Sequence, residues 1–264
     1  MAAGATILII SGNFDISVGA IIGLACCVMA IMIIDGANYI VASLVGMCVA
    51  IAASSLNGVL SIALQAPSFI ISLATTGIFT GISLLLTGGA IQTIYGQFEI
   101  LGATRLFNTI PLVFVLSLAG YFIVHYLLKH TQIGRRIYAI GNNQYAAFLA
   151  GISVQKNKLL FFVINGILLG VASIMLLSRL GGALPSTGSG LEMRAISAVV
   201  VGGVPITGGR GTVFGTFLGV LIMGIISNML NLLQVNAYMQ NIFYGCIVLF
   251  AIGVSSLRMR LGYK

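Results

Sequence analysis

A few carboxylate and amide side chains lie within or at the ends of long apolar runs of this chain. Such groups can hydrogen-bond a small polar solute, but in hydrocarbon a carboxylate costs about 2.5 to 3.5 kcal/mol unless it has partners or water. The alternative for each amide is that it holds two helices together. The side chains that we take as candidates for lining a polar pathway are Asp15, Asn57, Glu192, Asn228 and Asn231.

Asp15 lies in the segment SGNFDISVG, between Gly12 and Gly19. Two interpretations of this segment are open. It interrupts a helix, with short polar side chains meeting the freed backbone groups, or one of its residues caps the helix that follows. Elsewhere, Asn228 and Asn231 are three residues apart and share one helix face, which makes them the better pair for a lined pathway.

The sequence has no pattern typical of an enzyme, such as a metal-ligand cluster, a nucleophile triad or a redox motif. Gly203 and Gly208 have the spacing of a phosphate-binding loop, but Gly209 and Arg210 follow where Lys and Ser or Thr are required. We therefore expect no catalytic residue, no metal site and no nucleotide bound by this chain. The cysteines, which we interpret as small apolar core residues, are Cys26, Cys27, Cys48 and Cys246.

Three glycines in the C-terminal third repeat every four residues: Gly211, Gly215 and Gly219. Thr212 and Thr216 lie beside them. Such a ladder of small residues lets a second helix approach closely. We therefore expect these glycines to pack helices together, either within the subunit or across a dimer.

The composition excludes an ordinary soluble domain. Of 264 residues, 59% are hydrophobic, twelve are Lys or Arg, four are Asp or Glu, and the mean hydropathy is +1.14. Soluble domains carry about one charged residue in four. The net charge of +8 comes from basic residues in loops between apolar runs, which is typical of membrane topology rather than of nucleic-acid binding. The expected surroundings are therefore the lipid bilayer.

The apolar runs predict an all-α fold, a polytopic transmembrane helical bundle. A helix needs about 20 residues to cross a hydrocarbon core of about 30 Å. The runs that meet or approach this length are Val18 to Ile34, Tyr39 to Leu64, Phe69 to Thr87, Ile110 to Leu128, Leu159 to Leu180, Val213 to Leu233 and Tyr238 to Val254. With the shorter run Ala195 to Ile206, we predict about eight spans in one membrane domain, 1–264. Met1 to Ile10 is expected to be a partial helix whose beginning lies outside this chain.

The basic residues predict which side of the membrane each loop faces. Five of them lie between Lys129 and Lys158 without an acidic residue, so the loop 129–158 is expected to be cytoplasmic. The tail residues that we expect on the same side are Arg258, Arg260 and Lys264. An even number of crossings must then separate loop and tail, so the Ala195 run has to cross, extended back to Gly190 or broken within the membrane. The loop from Gly88 to Thr109 is expected on the outer side.

The loop 129–158 contains more apolar residues than a simple connection needs. Its sequence, TQIGRRIYAIGNNQYAAFLAGISVQKNK, includes a helix-compatible run from Gln144 to Ala150 that is closed by Gly151. Exposed apolar residues favour a docking element for a soluble partner. The alternative is a helix resting on the membrane, with Arg135 and Arg136 at the head groups.

Four motifs, in the right order, resemble those of ABC importer permeases of the monosaccharide type, which carry ribose, arabinose, galactose or autoinducer-2. YAAFLAG resembles the coupling-loop pattern EAAxxxG, with Tyr145 in place of the glutamate, and SGNFDISVG is similar to (S/T)GGIDLSVG. LEMRAISAVVVGGVPITGGRGTVFGTFLG and NMLNLL resemble ELDAIAAVVIGGxxxxGGxGTxxGTxxG and NGLNLL. The chain departs from the family at Asn13, Phe14, Arg194 and Met229, and Arg194 stands where the family usually has an acid. The family is also longer at the N-terminus, by roughly one to two spans.

The resemblance implies a permease subunit that moves a monosaccharide or similar small polar solute into the cytoplasm by alternating access. It implies a bacterial inner (plasma) membrane protein, paired with an identical or different permease subunit. A separate ABC ATPase subunit would bind the ATP, so the chain itself would not be an enzyme, and an extracytoplasmic sugar-binding protein would deliver the solute. The residues that the resemblance assigns to ATPase coupling are Arg135, Arg136, Asn142, Tyr145, Ala146, Ala147 and Gly151.

Two other functions fit parts of the sequence. A helix break at Asp15 alone would also allow a self-contained secondary transporter or channel. The short N-terminus would also fit a truncated, transport-incompetent permease that persists as an assembly partner.

Overall fold

The computed structural model describes residues 1–260, which form twelve α-helices and four two-residue β-strands. The helices are α1 (Ala2–Ile10), α2 (Val18–Ile34), α3 (Tyr39–Ala63), α4 (Ser68–Thr87), α5 (Ile100–Ala103), α6 (Leu112–His130), α7 (Gln132–Asn142), α8 (Gln144–Leu149), α9 (Val154–Leu180), α10 (Leu191–Val201), α11 (Val213–Leu232) and α12 (Ala237–Arg260). The strands are β1 (Gln92–Thr93), β2 (Arg105–Leu106), β3 (Ile110–Pro111) and β4 (Gly182–Ala183). The predicted cytoplasmic tail falls on Lys264 and on the side chains of Arg258 and Arg260, which lie outside the described residues.

Within the part of the chain that the structure describes, five helices are long and apolar enough to cross a membrane: α3, α4, α6, α9 and α11. The apolar helix α2 is shorter, at 17 residues. Large apolar side chains face outward from these helices, such as Leu85 at 86% exposure and Phe122 at 73%. Outward apolar surface is expected where the surrounding solvent is hydrocarbon, so the structure is that of a helical membrane protein. The count of eight spans stays a prediction.

The chain divides into two compact units, and the prediction of one membrane domain stays a prediction. The first unit contains Phe14–Phe122 and Lys158–Ser189, and α2 lies at its centre against α3 and α4. Every residue of α2 except Ile34 is buried or half-buried, and the helix has apolar residues on all its faces. A helix that is apolar all round is one that other helices enclose.

Small residues on α3 allow the close packing of the first unit. They repeat every four residues along one buried stripe, Ala42, Gly46, Ala50, Ser54 and Gly58. Opposite this stripe, a Cβ at Gly166 of α9 would lie 2.7 Å from the Ile51 Cα, and one at Gly58 would lie 3.1 Å from the Phe162 ring. The two backbones therefore approach as closely as small residues permit.

The segment of turns between β4 and α10 packs on α2. A Cβ at Gly23 would lie 2.7 Å from the Pro185 carbonyl oxygen, and Gly188 packs directly on the Gly19 carbonyl. β4 also pairs antiparallel with β1, with Gln92 opposite Ala183. The apolar run itself begins only at Ala195, because Glu192 and Arg194 lower the hydropathy, and of the two predicted alternatives the structure has the extension back to Gly190. The helix α10 begins at Leu191, directly after Gly190.

The second unit contains Ala2–Asn13, Ile123–Asn157 and the residues from Gly190 onward. Here α1 packs against α7, α10 and α11, and α10 packs against α11 and α12. The hydroxyls of Thr6 and Thr216 share a hydrogen bond of 2.8 Å, and the Gly209 amide donates to the Ile10 carbonyl at 2.8 Å. The predicted partial helix at Met1 to Ile10 is thus a packed element of this unit.

Candidate functional site

The helix is interrupted at the segment that contains Asp15. The helix α1 ends at Ile10, α2 begins at Val18, and Gly12 between them has a φ of +76°. Asp15 is not the N-cap of α2, because that position belongs to Ser17, whose side chain makes no capping hydrogen bond. Of the two interpretations that the sequence left open, the structure has the interrupted helix.

The carboxylate of Asp15 is the centre of a buried polar cluster in the first unit. Its Oδ1 accepts from the Ser17 amide at 2.9 Å and from the Ser17 hydroxyl at 2.6 Å. The same oxygen accepts from Asn57 Nδ2 at 3.3 Å, whereas Oδ2 accepts from Asn165 Nδ2 at 3.1 Å. Only 7% of Asp15 is exposed, so hydrogen bonds replace the water that a carboxylate needs.

The two asparagines connect Asp15 to the neighbouring helices. Asn57 of α3 also donates to the Ser17 hydroxyl at 2.7 Å, and its Oδ1 accepts from Thr75 of α4 at 2.7 Å. Asn165 of α9 also donates to Ser54 at 3.2 Å. We call Asp15, Ser17, Asn57, Thr75 and Asn165 the Asp15 cluster.

Hydroxyls of α4 satisfy the backbone of the interrupted segment. The amide of Phe14 donates to Ser68 Oγ at 2.9 Å, and the amide of Ile16 donates to Ser72 Oγ at 3.0 Å. An unwound backbone in an apolar environment needs such partners. Ser68, Ser72 and Thr75 are spaced i, i+4 and i+7, so they form one polar face of α4. That spacing is the signal in the sequence from which the contribution of α4 could have been predicted.

The structure brings two of the five predicted pathway residues together, Asp15 and Asn57. The other three lie in the second unit. Glu192 is in the first turn of α10, where its Oε1 accepts from the Gly190 amide at 3.1 Å. Asn228 is exposed on α11, and the exposed Asn231 accepts from Gln240 Nε2 at 2.8 Å.

Arg194, which departs from the family pattern, is also on α10. Its guanidinium carbon lies 4.9 Å from the centre of the Tyr244 ring, which is buried. A cation above an aromatic face is favourable, so Arg194 ties α10 to α12 within the second unit.

The predicted cytoplasmic loop contains two helices. Thr131 caps α7 by accepting from the Gly134 amide at 3.3 Å, and the buried Ile137 and Ile140 fix the inner face of this helix. Arg135 and Arg136 are exposed on its outer face, and Asn142, its last residue, is also exposed. The loop is thus a folded element with a charged outer surface.

Tyr138 joins α7 to the glycine-rich segment before α11. Its hydroxyl donates to the Gly211 carbonyl at 2.8 Å. Partial burial raises the pKa of this phenol above its ordinary value, because the charged form loses hydration. The hydroxyl therefore keeps its proton and remains a donor at neutral pH.

The short helix α8 has a hydrogen-bonded cap at each end. Asn143 Oδ1 accepts from the Ala146 amide at 2.9 Å at the start. At the end, Gly151 has a φ of +80° and donates to Phe148, while Ile152 donates to Ala147. This is the Schellman arrangement, in which a glycine in the left-handed region closes a helix.

The outer face of α8 is apolar and exposed. Tyr145 is 71% exposed, Phe148 64% and Leu149 67%, whereas Ala147 faces inward at 4%. Ala146 and Gly151 are exposed as well. We call Tyr145, Phe148 and Leu149 the α8 surface.

Two of the three ladder glycines pack α11 against α10. Gly219 lies directly on the Ala198 carbonyl and Gly215 on the Gly202 carbonyl, with no room for a side chain. Gly211 precedes the helix, at a φ of +125°, where a Cβ would meet Val204. Close packing within the subunit is therefore present at Gly215 and Gly219.

Two of the four cysteines are not core residues. Cys26 and Cys27 are buried, as expected, but Cys48 and Cys246 are exposed. An apolar helix in a bilayer can point a small side chain outward without cost. The apolar runs therefore did not reveal which cysteines face the core and which face outward. Among residues 1–260, no group of His, Cys, Asp and Glu is arranged to hold a metal ion.

An interrupted helix held by a buried polar cluster, within a bundle of apolar helices, is the architecture of an integral membrane transport protein. The chain belongs to the family described as the permease component of the branched-chain amino acid transport system, whose model matches residues 1–252. The predicted relationship to ABC importer permeases is thereby confirmed, and the chain is a multi-pass permease component of the inner membrane.

Three relatives illustrate the similarity. The ribose import permease of Bacillus subtilis is 38% identical over 256 residues, which cover 96% of this chain and 79% of the relative. The D-allose transport system permease of Escherichia coli is 35% identical, over 94% of this chain and 77% of its own length. The autoinducer 2 import system permease of Photorhabdus luminescens is 35% identical, over 98% of this chain and 78% of its own length. No solved structure matches the chain significantly. The predicted N-terminal shortening stays a prediction.

Proposed function

We propose that this permease carries a monosaccharide, or a small polar solute of similar size, into the cytoplasm by alternating access. The three relatives described above are named for the import or transport of ribose, allose and autoinducer 2, and this supports the solute class. The permease acts with a separate ABC ATPase subunit that binds ATP, a second permease subunit and an extracytoplasmic solute-binding protein.

The observation that carries this proposal is the α8 surface. A helix of six residues has no intrinsic stability in water, because helix nucleation is unfavourable. Here the Asn143 and Gly151 caps and the buried Ala147 hold it, while Tyr145, Phe148 and Leu149 project outward. An apolar, preorganised surface of this kind suits a groove on a soluble partner, and the exposed Arg135 and Arg136 add positive charge to the same loop.

The orientation follows from the same loop. Its five basic residues without an acid favour the cytoplasmic side, where the ATPase has access to its nucleotide. The tail, C-terminal to α12, is on that side as well. Movement of α8 with the ATPase then alternates the access of the pathway, to which we assign Asp15, Asn57, Glu192, Asn228 and Asn231.

The test is ATP-driven uptake of radiolabelled ribose and allose into proteoliposomes that contain the copurified importer. Gly151→Glu places a charge at the end of α8, where a Cβ meets no atom within 4 Å. We expect it to abolish uptake and ATPase copurification while the permease still inserts into membranes. Gly36→Glu is the matched control, because Gly36 also has a positive φ, +89°, and open space, but lies after α2.

Other outcomes are equally specific. Uptake that needs an ion gradient but no ATPase would identify a secondary transporter. Normal copurification with no uptake of any sugar would indicate a transport-incompetent subunit. Normal uptake by Gly151→Glu would refute the docking role of α8 and favour a helix that rests on the membrane.

A further inference from the structure

The helix α9 follows α8 in the chain and contains Asn165, a member of the Asp15 cluster. It begins at Val154, three residues after Gly151, and continues without interruption to Leu180. Asn165 is eleven residues along it, so at about 1.5 Å per residue its Cα lies roughly 17 Å from the start of the helix. One continuous helix thus begins shortly after α8 and has, in its interior, a hydrogen-bond donor to the Asp15 carboxylate.

Asn165 is the sole partner of Asp15 Oδ2 among the described residues. The distance is 3.1 Å, and the other carboxylate oxygen, Oδ1, accepts three hydrogen bonds from Ser17 and Asn57. If the Asn165 bond breaks, the carboxylate keeps those three bonds. Loss of the Asn165 bond therefore costs less than the loss of the whole cluster, so this contact can be tested by itself.

The rest of α9 at this level is fixed to α3. Ser54 of α3 donates to the Phe162 carbonyl at 2.8 Å, and Gly166 lies against the Ala50 and Ile51 backbone. Such close packing makes α3 and α9 move together, so Asn57 of α3 and Asn165 of α9 act on the two oxygens of the Asp15 carboxylate at the same time. The segment Phe14 to Ile16 lies outside both helices, and its Phe14 and Ile16 amides bond to side chains, so it is the more deformable partner.

We propose that Asn165 is a positioning residue that transmits the movement of α8, along α9, to the interrupted helix at Asp15. This inference rests on the proposed function, since it assumes that a partner ATPase moves α8. When α9 shifts, the Asn165 amide draws Oδ2 with it, and the interrupted segment changes its conformation. Asn165 acts through Asp15 and needs no contact with the solute.

The test measures the number of solute molecules imported per ATP hydrolysed by the complete importer in proteoliposomes. Asn165→Ala removes the bond to Oδ2 and leaves the α8 surface unchanged. We expect this ratio to fall by about tenfold, a typical size for a coupling between two sites, while copurification and ATP hydrolysis are retained. A role that is only structural would lower import and hydrolysis together.

Ser173→Ala is the matched control on the same helix. Ser173 is fully buried like Asn165, but its hydroxyl donates to the Leu169 carbonyl of α9 itself. We expect its ratio to equal that of the unmodified importer. Equal ratios in Asn165→Ala and Ser173→Ala would overturn the inference and leave the proposed function intact. Absence of ATP-dependent import by the unmodified importer would instead overturn the proposed function.

A second pair of variants tests the contact itself. Asp15→Asn and Asn165→Asp each remove one carboxylate–amide pair, and the double variant restores it with the roles exchanged. We expect each single variant to lose most import per ATP and the double variant to recover to within about threefold of the unmodified ratio, a recovery that measures their interaction. A double variant no better than the weaker single variant would overturn the pairing.

Discussion

The hydroxyl of Thr75 donates to Oδ1 of Asn57 at 2.7 Å and thereby helps to hold the amide in one orientation. The Asp15 carboxylate only accepts, so the Asn57 NH₂ group points to Asp15 and Ser17 and leaves Oδ1 for Thr75. A residue of α4 thus fixes the far end of a residue of α3 that bonds to the interrupted helix. Polar networks of this kind are strong when complete and costly when one member is lost.

Thr75→Val should destabilise the permease by about 1–3 kcal/mol, the cost of leaving a buried acceptor unpaired. The variant keeps the shape of the side chain and removes only the hydroxyl. Thermal unfolding of the purified protein in detergent measures the effect. Thr76→Val is the control, because the hydroxyl of the half-buried Thr76 donates to the Ser72 carbonyl of its own helix. Equal decreases of the unfolding temperature in both variants would refute the orienting role of Thr75.

Asp15→Leu should lower the yield of folded permease by at least about tenfold. The substitution removes the acceptor of the Ser17 amide and hydroxyl and of one N–H each of Asn57 and Asn165, at about 1–3 kcal/mol for each unpaired donor. The yield is measured by size-exclusion chromatography of detergent-solubilised membranes. Asp35→Leu is the control, since Asp35 is an exposed acid at the other end of α2. A full yield of folded Asp15→Leu would contradict the central position of the carboxylate.

Gly219→Ala should destabilise the packing of α10 on α11, because the new methyl group meets the Ala198 carbonyl. Overpacking of this kind costs about 1–3 kcal/mol. Gly224→Ala in the same helix meets no atom within 4 Å and should be neutral or slightly stabilising, because alanine favours the helix by up to about 1 kcal/mol. Unfolding temperatures of both proteins check the difference. Two equal unfolding temperatures would mean that α10 and α11 separate readily.

Two cysteine substitutions test the proposed orientation. Lys156→Cys, in the loop 129–158, should react with a membrane-impermeant maleimide only in inside-out vesicles. Phe107→Cys, at a position 92% exposed between β2 and β3, should react only in right-side-out vesicles. The unmodified protein is the control, because its exposed cysteines lie on apolar helices. Reaction of both variants from the same side of the membrane would contradict the predicted topology.

The apolar runs predicted the helices well where polar residues flank them. The predicted run Val18 to Ile34 coincides with α2, since Ser17 and Asp35 bound it. At α10 the apolar run alone begins at Ala195, because the first turn contains Glu192 and Arg194, and only the argument from the number of crossings extended it back to Gly190. The backbone continues as a helix there because Gly190 starts it and its other face is buried against α11 and α12.

The candidate site was only partly predictable, since its members come from four separate segments. Asp15 and Asn57 stood out as polar residues in apolar surroundings, but nothing in the sequence pairs Asp15 with Asn165, 150 residues away. The glycine ladder drew attention to α11, whereas the stripe of α3 mixes alanine, glycine and serine and does not stand out. Which small residues face a neighbour depends on tertiary packing, which one sequence does not reveal.

The enclosed position of α2 has a consequence for how the protein is made. The ribosome releases α2 before α3 and α4, and long before α9, so the helix first enters the membrane without the neighbours that later bury it. Its all-round apolar surface is then covered by lipid chains, which the later helices displace. The composition of α2 thus suits its passage through the insertion machinery as much as its final place, and a polar substitution on α2 would act on biogenesis before it acted on transport.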